Sequence, residues 1–380
     1  MKVQYHPILA LALAIAFTTT TSGFAKDEAK PSAKPKVEVC FVLDTTGSMS
    51  GLIEGAKQKI WSIANEIASA KPAPDIRFGL IGYRDRGDEY VVKTFNLTND
   101  LDAIYGQLQS FRADGGGDTP ESVNEALDEA VNKLSWSAAR GVLKVIFLVG
   151  DSPPHMDYPD GPKYPDICQA AAKRDLIINT IQCGNLAETT PIWQEIAKRS
   201  EGSYAAIPQS GNMVAIATPM DAKLAELNRK LGTTLVAYGS ASERRFLHAK
   251  QAASEAAPAT ASADRLSFNA KAGVTVQGEG ELLDSLANGK VKLESIKKDQ
   301  LPTELQKLND KELKAEIEKQ QKERVELKAE IQKLSRERDD FLTREQKRLA
   351  AGGKAESFDQ KVSDMIRAEA ARKGIEYSIK

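Results

Sequence analysis

A short apolar run that ends in three regularly spaced oxygen-bearing side chains constrains the fold more than any other part of the sequence. Residues 37–43 are mostly branched or apolar, which predicts a strand buried on both faces of a sheet. Asp44, Thr46 and Ser48 follow at every second position, and over residues 52–67 apolar side chains recur at intervals of three and four, which predicts a helix. Three polar side chains therefore lie between a buried strand and a helix, where open α/β sheets bind ligands.

The oxygen atoms of this loop favour a hard cation. Carboxylate and hydroxyl oxygens without nitrogen or sulfur ligands suit Mg²⁺, which binds six ligands in near-octahedral geometry. Three residues cannot fill that shell, and two further segments offer oxygen atoms. In the glycine-rich segment 115–121 we expect Thr119 to cap a helix and Pro120 to occupy its first position. A second buried strand, residues 145–149, is followed closely by Asp151.

The three segments together resemble the metal-ion-dependent adhesion site of von Willebrand factor A domains. They are DTTGSMS at 44–50, GGGDTPES at 115–122 and LVGDS at 148–152. They occur in the right order, each with a strand or helix beside it. The resemblance covers residues 37–232, about half of the chain.

The resemblance implies a role for each site residue. Thr46, Ser48 and Thr119 bind the ion directly or nearly so, and Asp44 and Asp151 act partly through water. Thr46 occupies a position where serine is commoner in this family, and threonine keeps the hydroxyl group. The expected ion is Mg²⁺, with Mn²⁺ or Ca²⁺ as alternatives, and one coordination position stays open for a carboxylate of a protein partner.

Strand and helix patterns alternate through residues 37–239, the extent of the predicted domain. We predict strands at residues 37–43, 76–83, 90–97, 143–149, 176–183 and 204–207. Helices are predicted at residues 52–67, 101–111, 121–134, from about 167, and at 191–200 and 212–232, the last of which closes the domain. This order predicts an α/β fold, a doubly wound, mostly parallel sheet with helices on both faces.

Residues 1–25 have the features of a secretory signal peptide, with an apolar core at 7–17 and a cleavage site at 23–25 that has small residues at its first and third positions. The core is shorter than the roughly 20 residues of a membrane span. Export to a periplasmic or extracellular location is therefore favoured over an uncleaved anchor, and no stable span is expected after cleavage. Residues 26–36 form a charged tether.

The overall charge argues against a nucleic-acid partner. The 52 basic residues nearly match the 53 acidic ones, which leaves a formal net charge of −1. Such a chain has no basic excess to attract phosphates.

The three cysteines raise the question of a disulfide. Cys40 lies within the first predicted strand and is expected to be a buried apolar side chain. Cys168 opens a predicted helix and Cys183 ends the strand that follows. Because a right-handed crossover brings these two ends to one edge of the sheet, a Cys168–Cys183 disulfide is feasible.

The first part of the region 240–300 has few large apolar residues. Residues 241–264 are rich in alanine and serine, which predicts a linker that is helical at most in part. Residues 265–300 carry scattered apolar positions and fit either a small accessory fold or a segment that wraps the main domain.

Residues 301–351 have the pattern of a coiled coil. The hexapeptide at 312–317 recurs identically at 326–331, two heptads later. The predicted apolar seam consists of Leu313, Ile317, Leu327, Ile331, Leu334 and Phe341, and it is interrupted by Gln320, Arg324 and Arg338. Residues 357–374 form a further amphipathic helix. Two interpretations remain: a stalk that gives a weak homo-oligomer, or a helical hairpin folded back within one chain.

Three classes of function follow from these patterns. The favoured one is a non-enzymatic module that binds a protein partner through the metal. A phosphoryl-transfer hydrolase using Asp44 is the enzymatic alternative, but these enzymes usually have a second acid two residues later, where this chain has Thr46. A structural oligomeric scaffold is the third.

Overall fold

The central strand β1 (Lys36–Asp44) is buried on both faces. It lies between β2 (Asp75–Tyr83) and β4 (Leu143–Gly150) and pairs in parallel with both. Its side chains alternate between two apolar cores, with Phe41 in one and Cys40 in the other. An uninterrupted apolar run is what such a strand requires, because neither face meets water.

The computed structural model describes Met1 and residues 34–351 and 357–377. In this part of the chain six strands form one sheet in the order β3-β2-β1-β4-β5-β6. The remaining strands are β3 (Val92–Thr98), β5 (Ile177–Cys183) and β6 (Tyr204–Ile207). All neighbouring strands are parallel except β3, which pairs antiparallel with β2 at the sheet edge. The predicted α/β fold class is confirmed.

Twelve α-helices lie in the described residues. In chain order they are α1 (Ser50–Ile67), α2 (Leu101–Ser110), α3 (Val123–Asp128), α4 (Tyr164–Lys173), α5 (Thr189–Arg199), α6 (Asp221–Thr233), α7 (Ala241–Ala256), α8 (Ala259–Ala272), α9 (Leu282–Ala287), α10 (Thr303–Gln306), α11 (Asp310–Ala351) and α12 (Phe358–Arg372). A π-helical turn, Glu129–Lys133, continues α3. The apolar side chains of α1, α2 and α12 belong to the core on one face of the sheet, and those of α3, α4 and α5 to the core on the other.

The helix that closes the sheet is not the predicted one. The pattern at residues 212–232 predicts a closing helix, and α6 does lie there, but it packs against α8 and α11. The place beside α1 is taken by α12, whose Phe358 and Ile366 are buried in the sheet core. The Phe358 ring lies 6.3 Å from that of Phe41. The sheet core therefore extends beyond the predicted boundary at residue 239.

The predicted linker is also corrected. Residues 241–264 fall almost entirely within α7 and α8. Ser240 caps α7 in a capping box with Glu243, and buried alanines of α8 pack closely against α1 and α6. Alanine is a strong helix former, and a small side chain permits close helix packing, so its abundance does not indicate a linker here.

The long helix α11 contains 42 residues and packs against its own chain. Leu313 and Ile317 are buried in a cluster with residues of α9 and α10, and Ile331 in a cluster with α6 and α8. The predicted seam thus has an intramolecular partner, which favours the hairpin interpretation.

The cysteines are free thiols in the structure. Cys168 lies in the core on one face of the sheet and Cys183 in the core on the other. The predicted Cys168–Cys183 disulfide is therefore wrong. The crossover brings the backbones of both cysteines to one edge of the sheet. Because side chains alternate between the two faces along a strand, the Cys183 side chain lies on the opposite face.

The predicted signal peptide and residues 26–33 of the tether lie outside the described residues, apart from Met1. Among the described helices, none combines the length and the apolar character that a membrane crossing requires.

Candidate metal centre

The site begins where β1 ends. Asp44 is fully buried, and its Oδ1 accepts hydrogen bonds from the Thr46 backbone N–H at 2.8 Å and from Thr46 Oγ1 at 2.6 Å. The Ser48 hydroxyl lies 3.3 Å from Thr46 Oγ1. The structure therefore brings together the three side chains that the spacing predicts, on a turn between a strand and α1.

The second oxygen of Asp44 is the decisive atom of this loop. Asp44 Oδ2 is buried and has no hydrogen-bond partner among the described residues. Burial and the nearby Asp151 carboxylate raise the pKa of Asp44 to about 7, despite the opposing effects of the Thr46 hydrogen bonds and of the Asp151 backbone. A buried carboxylate oxygen without a donor is costly, and a cation relieves both the desolvation and the repulsion.

Asp151 reaches the same place from β4, the parallel neighbour of β1. Its Oδ2 accepts a hydrogen bond of 2.7 Å from Gln209 Nε2, which also lies 3.3 Å from the Ser48 carbonyl oxygen. Gln209 follows β6 and was not predicted as a site residue. A glutamine after a short strand has no distinguishing pattern, so only the folded chain places it here.

The glycine-rich segment supplies Thr119 from the opposite side. Gly115 and Gly116 have φ values of +76° and +72°, which favour glycine, and Asp88 Oδ2 accepts a 3.1 Å hydrogen bond from the Gly116 N–H. Thr119 is exposed at the cleft, and its peptide bond to Pro120 is cis.

The expected helix cap at Thr119 is wrong. The helix begins at Val123, with Ser122 before it. The segment around Thr119 instead extends past the site, since the Glu121 N–H donates to the Pro153 carbonyl oxygen at 3.0 Å.

These elements enclose a polar cleft of about 380 Å³. It is lined by four of the five predicted site residues, Thr46, Ser48, Thr119 and Asp151, and Asp44 lies buried behind them. Within residues 34–351 and 357–377, no group of three His, Cys, Asp or Glu side chains is arranged to hold an ion. The hydroxyl groups are therefore needed as donors, and carboxylate plus hydroxyl oxygens form the donor set that a hard cation prefers.

Glu121 is a further carboxylate of the cleft that the sequence interpretation missed. It is 3% exposed, and its Oε2 has no hydrogen-bond partner in the part of the chain that the structure describes. Burial and the carboxylates of Asp44, Asp85 and Asp151 raise the pKa of Glu121 to about 9. Its position two residues after Thr119 was the available signal. The sequence placed Glu121 in a predicted helix, however, and so did not show which way its side chain points.

Comparison of the sequence with known families identifies the domain that carries this site. Residues 38–217 match the family model of the von Willebrand factor A domain. The chain contains a von Willebrand factor A domain. Domains of this family are generally non-enzymatic modules that bind protein partners.

Two relatives of the von Willebrand factor A domain illustrate its range. Human von Willebrand factor A domain-containing protein 7 is 34% identical over 97 residues, which cover 26% of this chain and 10% of that protein. The alpha-protein kinase vwkA of Dictyostelium discoideum is 28% identical over 120 residues, which cover 31% of this chain and 19% of the kinase. This chain thus spans at most about a fifth of the length of these relatives.

Solved structures are similar at lower identity. Proximal thread matrix protein 1 from the mussel byssus, with a zinc-occupied MIDAS motif, is 16% identical with a TM-score of 0.37, covering 46% of this chain and 42% of that one. The VWA domain of SpRpn10 is 15% identical with a TM-score of 0.36, covering 47% of this chain and 91% of that domain.

Proposed function

We propose that this protein is an exported, non-enzymatic binding module whose von Willebrand factor A domain engages a protein partner through a divalent cation. The observation that carries the proposal is Asp44 Oδ2, a buried carboxylate oxygen without a donor, beside the hydroxyl groups of the cleft. Thr46, Ser48 and Thr119 would hold the ion directly, and Asp44 and Asp151 partly through water. The expected ion is Mg²⁺, or Mn²⁺ or Ca²⁺.

The ion would supply an electrophilic position at the mouth of the cleft. A carboxylate on the partner gains a charge-assisted bond there, and the surrounding loops add contacts that determine which protein binds. The chain's own residues fix the donor geometry, because both strand ends and the glycine loop are held by backbone hydrogen bonds.

The burial of Asp44 disfavours the hydrolase alternative. A nucleophilic carboxylate must reach a substrate phosphorus, whereas Asp44 is 0% exposed and its Oδ1 is bound to two Thr46 donors. The position suits a group that supports an ion from behind. For residues 301–351 we propose packing within one chain rather than a homo-oligomer, because the seam already has partners there.

Calorimetry tests the cation. We expect one Mg²⁺ or Mn²⁺ per chain and a higher melting temperature, because the ion binds the native state. Asp44→Ala and Asp151→Ala should abolish both effects, and Asp118→Ala, an exposed carboxylate at the same cleft, should change them little. Equal binding by the wild type and both site variants would exclude the assignment.

A pulldown from native extract tests the partner. Proteins retained by the wild type in Mg²⁺, and lost both with chelator and with Asp44→Ala, are the expected result. Retention that chelator does not change contradicts metal-dependent binding. Export is tested separately by the intact mass of the protein, which should begin near Lys26.

A further inference from the structure

A second cavity, the helical pocket, lies between α1, α2 and α7, and Lys57, Gly106 and Ala253 line it from the three helices. It shares no lining residue with the candidate metal centre. Its volume of about 520 Å³ lies within the roughly 300–1,000 Å³ of pockets that hold small molecules. The helical pocket is therefore large enough for a ligand of its own.

The wall that α7 forms is apolar. Phe246, Ala249, Ala253 and Ala256 line the helical pocket at intervals of three and four residues, so they share one face of the helix. Phe246 is 57% exposed, and covering a large apolar side chain is favourable. Pro258, just after the helix, extends the wall. This face suits the apolar chain of a ligand.

Gly106 leaves part of the helical pocket empty. It lies inside α2, where glycine weakens a helix relative to alanine. Apart from its own helix backbone and its chain neighbours, no atom of the described residues lies within 4 Å of a Cβ atom built on Gly106. The packing of those residues therefore does not require glycine at this position, and the missing side chain leaves space that a ligand can occupy.

Lys57 is the charged group that the helical pocket offers to a ligand. Its side chain is 7% exposed, and its Nζ donates to Glu54 Oε1 at 2.7 Å and to the Phe111 carbonyl oxygen at 2.9 Å. An ammonium group has three donors, so one of them has no partner among the described residues. The Glu54 side chain is 67% exposed, and an ion pair with so exposed a carboxylate contributes little. A carboxylate shielded from water would bind Lys57 more strongly.

The other charged residues of the helical pocket are neutralised within the protein. Lys250 pairs with Asp100, and Asp102 pairs with Arg265 at 2.6 Å. The side chains of all four residues are at most 15% exposed. Lys57 is therefore the lining cation whose carboxylate partner lies mostly in water.

We propose that the helical pocket binds a medium-chain fatty acid, with the carboxylate on Lys57 in place of Glu54 and the apolar chain between Gly106 and the α7 wall. The carboxylate gains a charge-assisted bond that is shielded from water. The chain covers Phe246 and the alanines of α7. The divalent cation takes no part in this binding, so the inference goes beyond the function proposed above and does not depend on it.

Calorimetry with decanoate, used below the concentration at which it forms micelles, tests the ligand class. We expect one decanoate per chain and the same affinity in Mg²⁺ and in EDTA. Decanol has the same chain length without the charge, so its affinity should be lower by about tenfold or more, because it forms no charge-assisted bond with Lys57. Equal affinities for the two would show that the charge is not recognised and would overturn the proposal.

Two substitutions of the charged pair should have opposite effects. Lys57→Met keeps the aliphatic stem and removes the ammonium group, so the decanoate affinity should fall by about tenfold or more. Glu54→Gln removes the carboxylate that competes for Lys57, so the decanoate affinity should rise. An affinity that Lys57→Met leaves unchanged, or that Glu54→Gln does not raise, contradicts a carboxylate bound at Lys57.

Gly106→Leu fills the helical pocket and leaves both charges in place. It should abolish decanoate binding without lowering the melting temperature of the free protein, because leucine is a better helix former than glycine. Gly141→Leu is the matched control, since a Cβ atom there also meets open space outside the pocket, and it should bind decanoate like the wild type. Gly106→Leu decides the proposal if Lys57→Met does not fold.

The outcomes distinguish this inference from the proposed function. If the wild type does not bind decanoate, or if Gly106→Leu binds it as the wild type does, the helical pocket is not a fatty-acid site and the metal-dependent function stands. If the wild type binds decanoate but no divalent cation, the proposed function fails and the inference stands.

Discussion

Arg324 and Arg338 lie 14 residues apart on α11, and each binds two carboxylates that are buried with it. Arg324 pairs with Glu281 at 2.7 Å and Asp284 at 3.2 Å, and Arg338 pairs with Asp221 at 2.7 Å and Asp264 at 2.6 Å. Both arginines are at most 3% exposed. They follow the two copies of the repeated hexapeptide at the same distance, so the repeat forms two equivalent attachment points on the same chain.

The first prediction concerns Arg338. Arg338→Ala should lower the free energy of unfolding by about 3–5 kcal/mol, because Asp221 and Asp264 would stay buried without the arginine that pairs with both. Urea denaturation followed by circular dichroism measures the change. Arg336→Ala, an exposed neighbour on α11, is the control and should stay within about 0.5 kcal/mol of the wild type. Equal effects of the two variants would mean that the buried pairs contribute nothing.

The second prediction concerns the apolar seam. We expect the whole chain to be monomeric in light scattering, because Ile331 and its seam neighbours are buried against α6 and α8. Leu327→Asp with Ile331→Asp should lower stability and helix content without changing the mass, since burying each side chain is worth roughly 1.5–3 kcal/mol. Val325→Asp, 67% exposed on the same helix, should have little effect. A dimer that the double variant dissociates into folded monomers would restore the self-associating stalk.

The third prediction concerns α12. Phe358 is 1% exposed and packs near Phe41, so Phe358→Ala should cost about 3–5 kcal/mol of unfolding free energy. Phe246→Ala, 57% exposed, is the matched control in the same thermal or urea melt. Equal stability of the two variants would show that α12 contributes little to the core.

The same packing predicts what truncation does. A chain that ends at Gly239 lacks α12 and leaves the sheet side of Phe41 uncovered. Exposed apolar surface of this kind leads to association, so light scattering should detect aggregates. A soluble, folded monomer of residues 37–239 is the result that contradicts this prediction.

The fourth prediction is a pH dependence from Glu369 on α12. Its side chain is 2% exposed, and burial raises the pKa of Glu369 to about 7 against the opposing effects of Asn179 and Arg372. A carboxyl group whose pKa is raised on folding favours the folded state below its ordinary pKa near 4.5, and this contribution is lost as the pH rises through about 7. Stability from this group therefore falls between about pH 4.5 and 7, by on the order of 2–3 kcal/mol.

Glu369→Gln should remove that part of the dependence. The variant should be more stable than the wild type above pH 7 and similar to it near pH 4.5. Because Asp44 and Glu121 also have raised pKa values, the difference between the two melting curves isolates Glu369. Glu326→Gln, an exposed glutamate of α11, should follow the wild type at every pH. An unchanged slope in Glu369→Gln would show that the carboxyl group reaches water.

The sequence determined the sheet and most of the candidate centre. Buried strands such as residues 37–43 are marked by a local apolar run, and the ends of parallel strands meet at one edge of the sheet. The sequence alone therefore places Asp44 and Asp151 together. Thr46 and Ser48 follow from spacing alone.

Only the tertiary structure decided which helices cover which surface. Arginines of α11 that interrupt an apolar pattern are buried because carboxylates from α6, α8 and α9 meet them, and those carboxylates lie 40 to 117 residues away in the chain. Phe358 on α12 completes a core whose first strand lies more than 300 residues earlier in the chain. Gln209 and Glu121 reach the cleft because the loops that carry them pass beside it. A sequence pattern shows the periodicity of one segment only. Which other segment packs against it depends on the packing of the whole chain, which no local pattern contains.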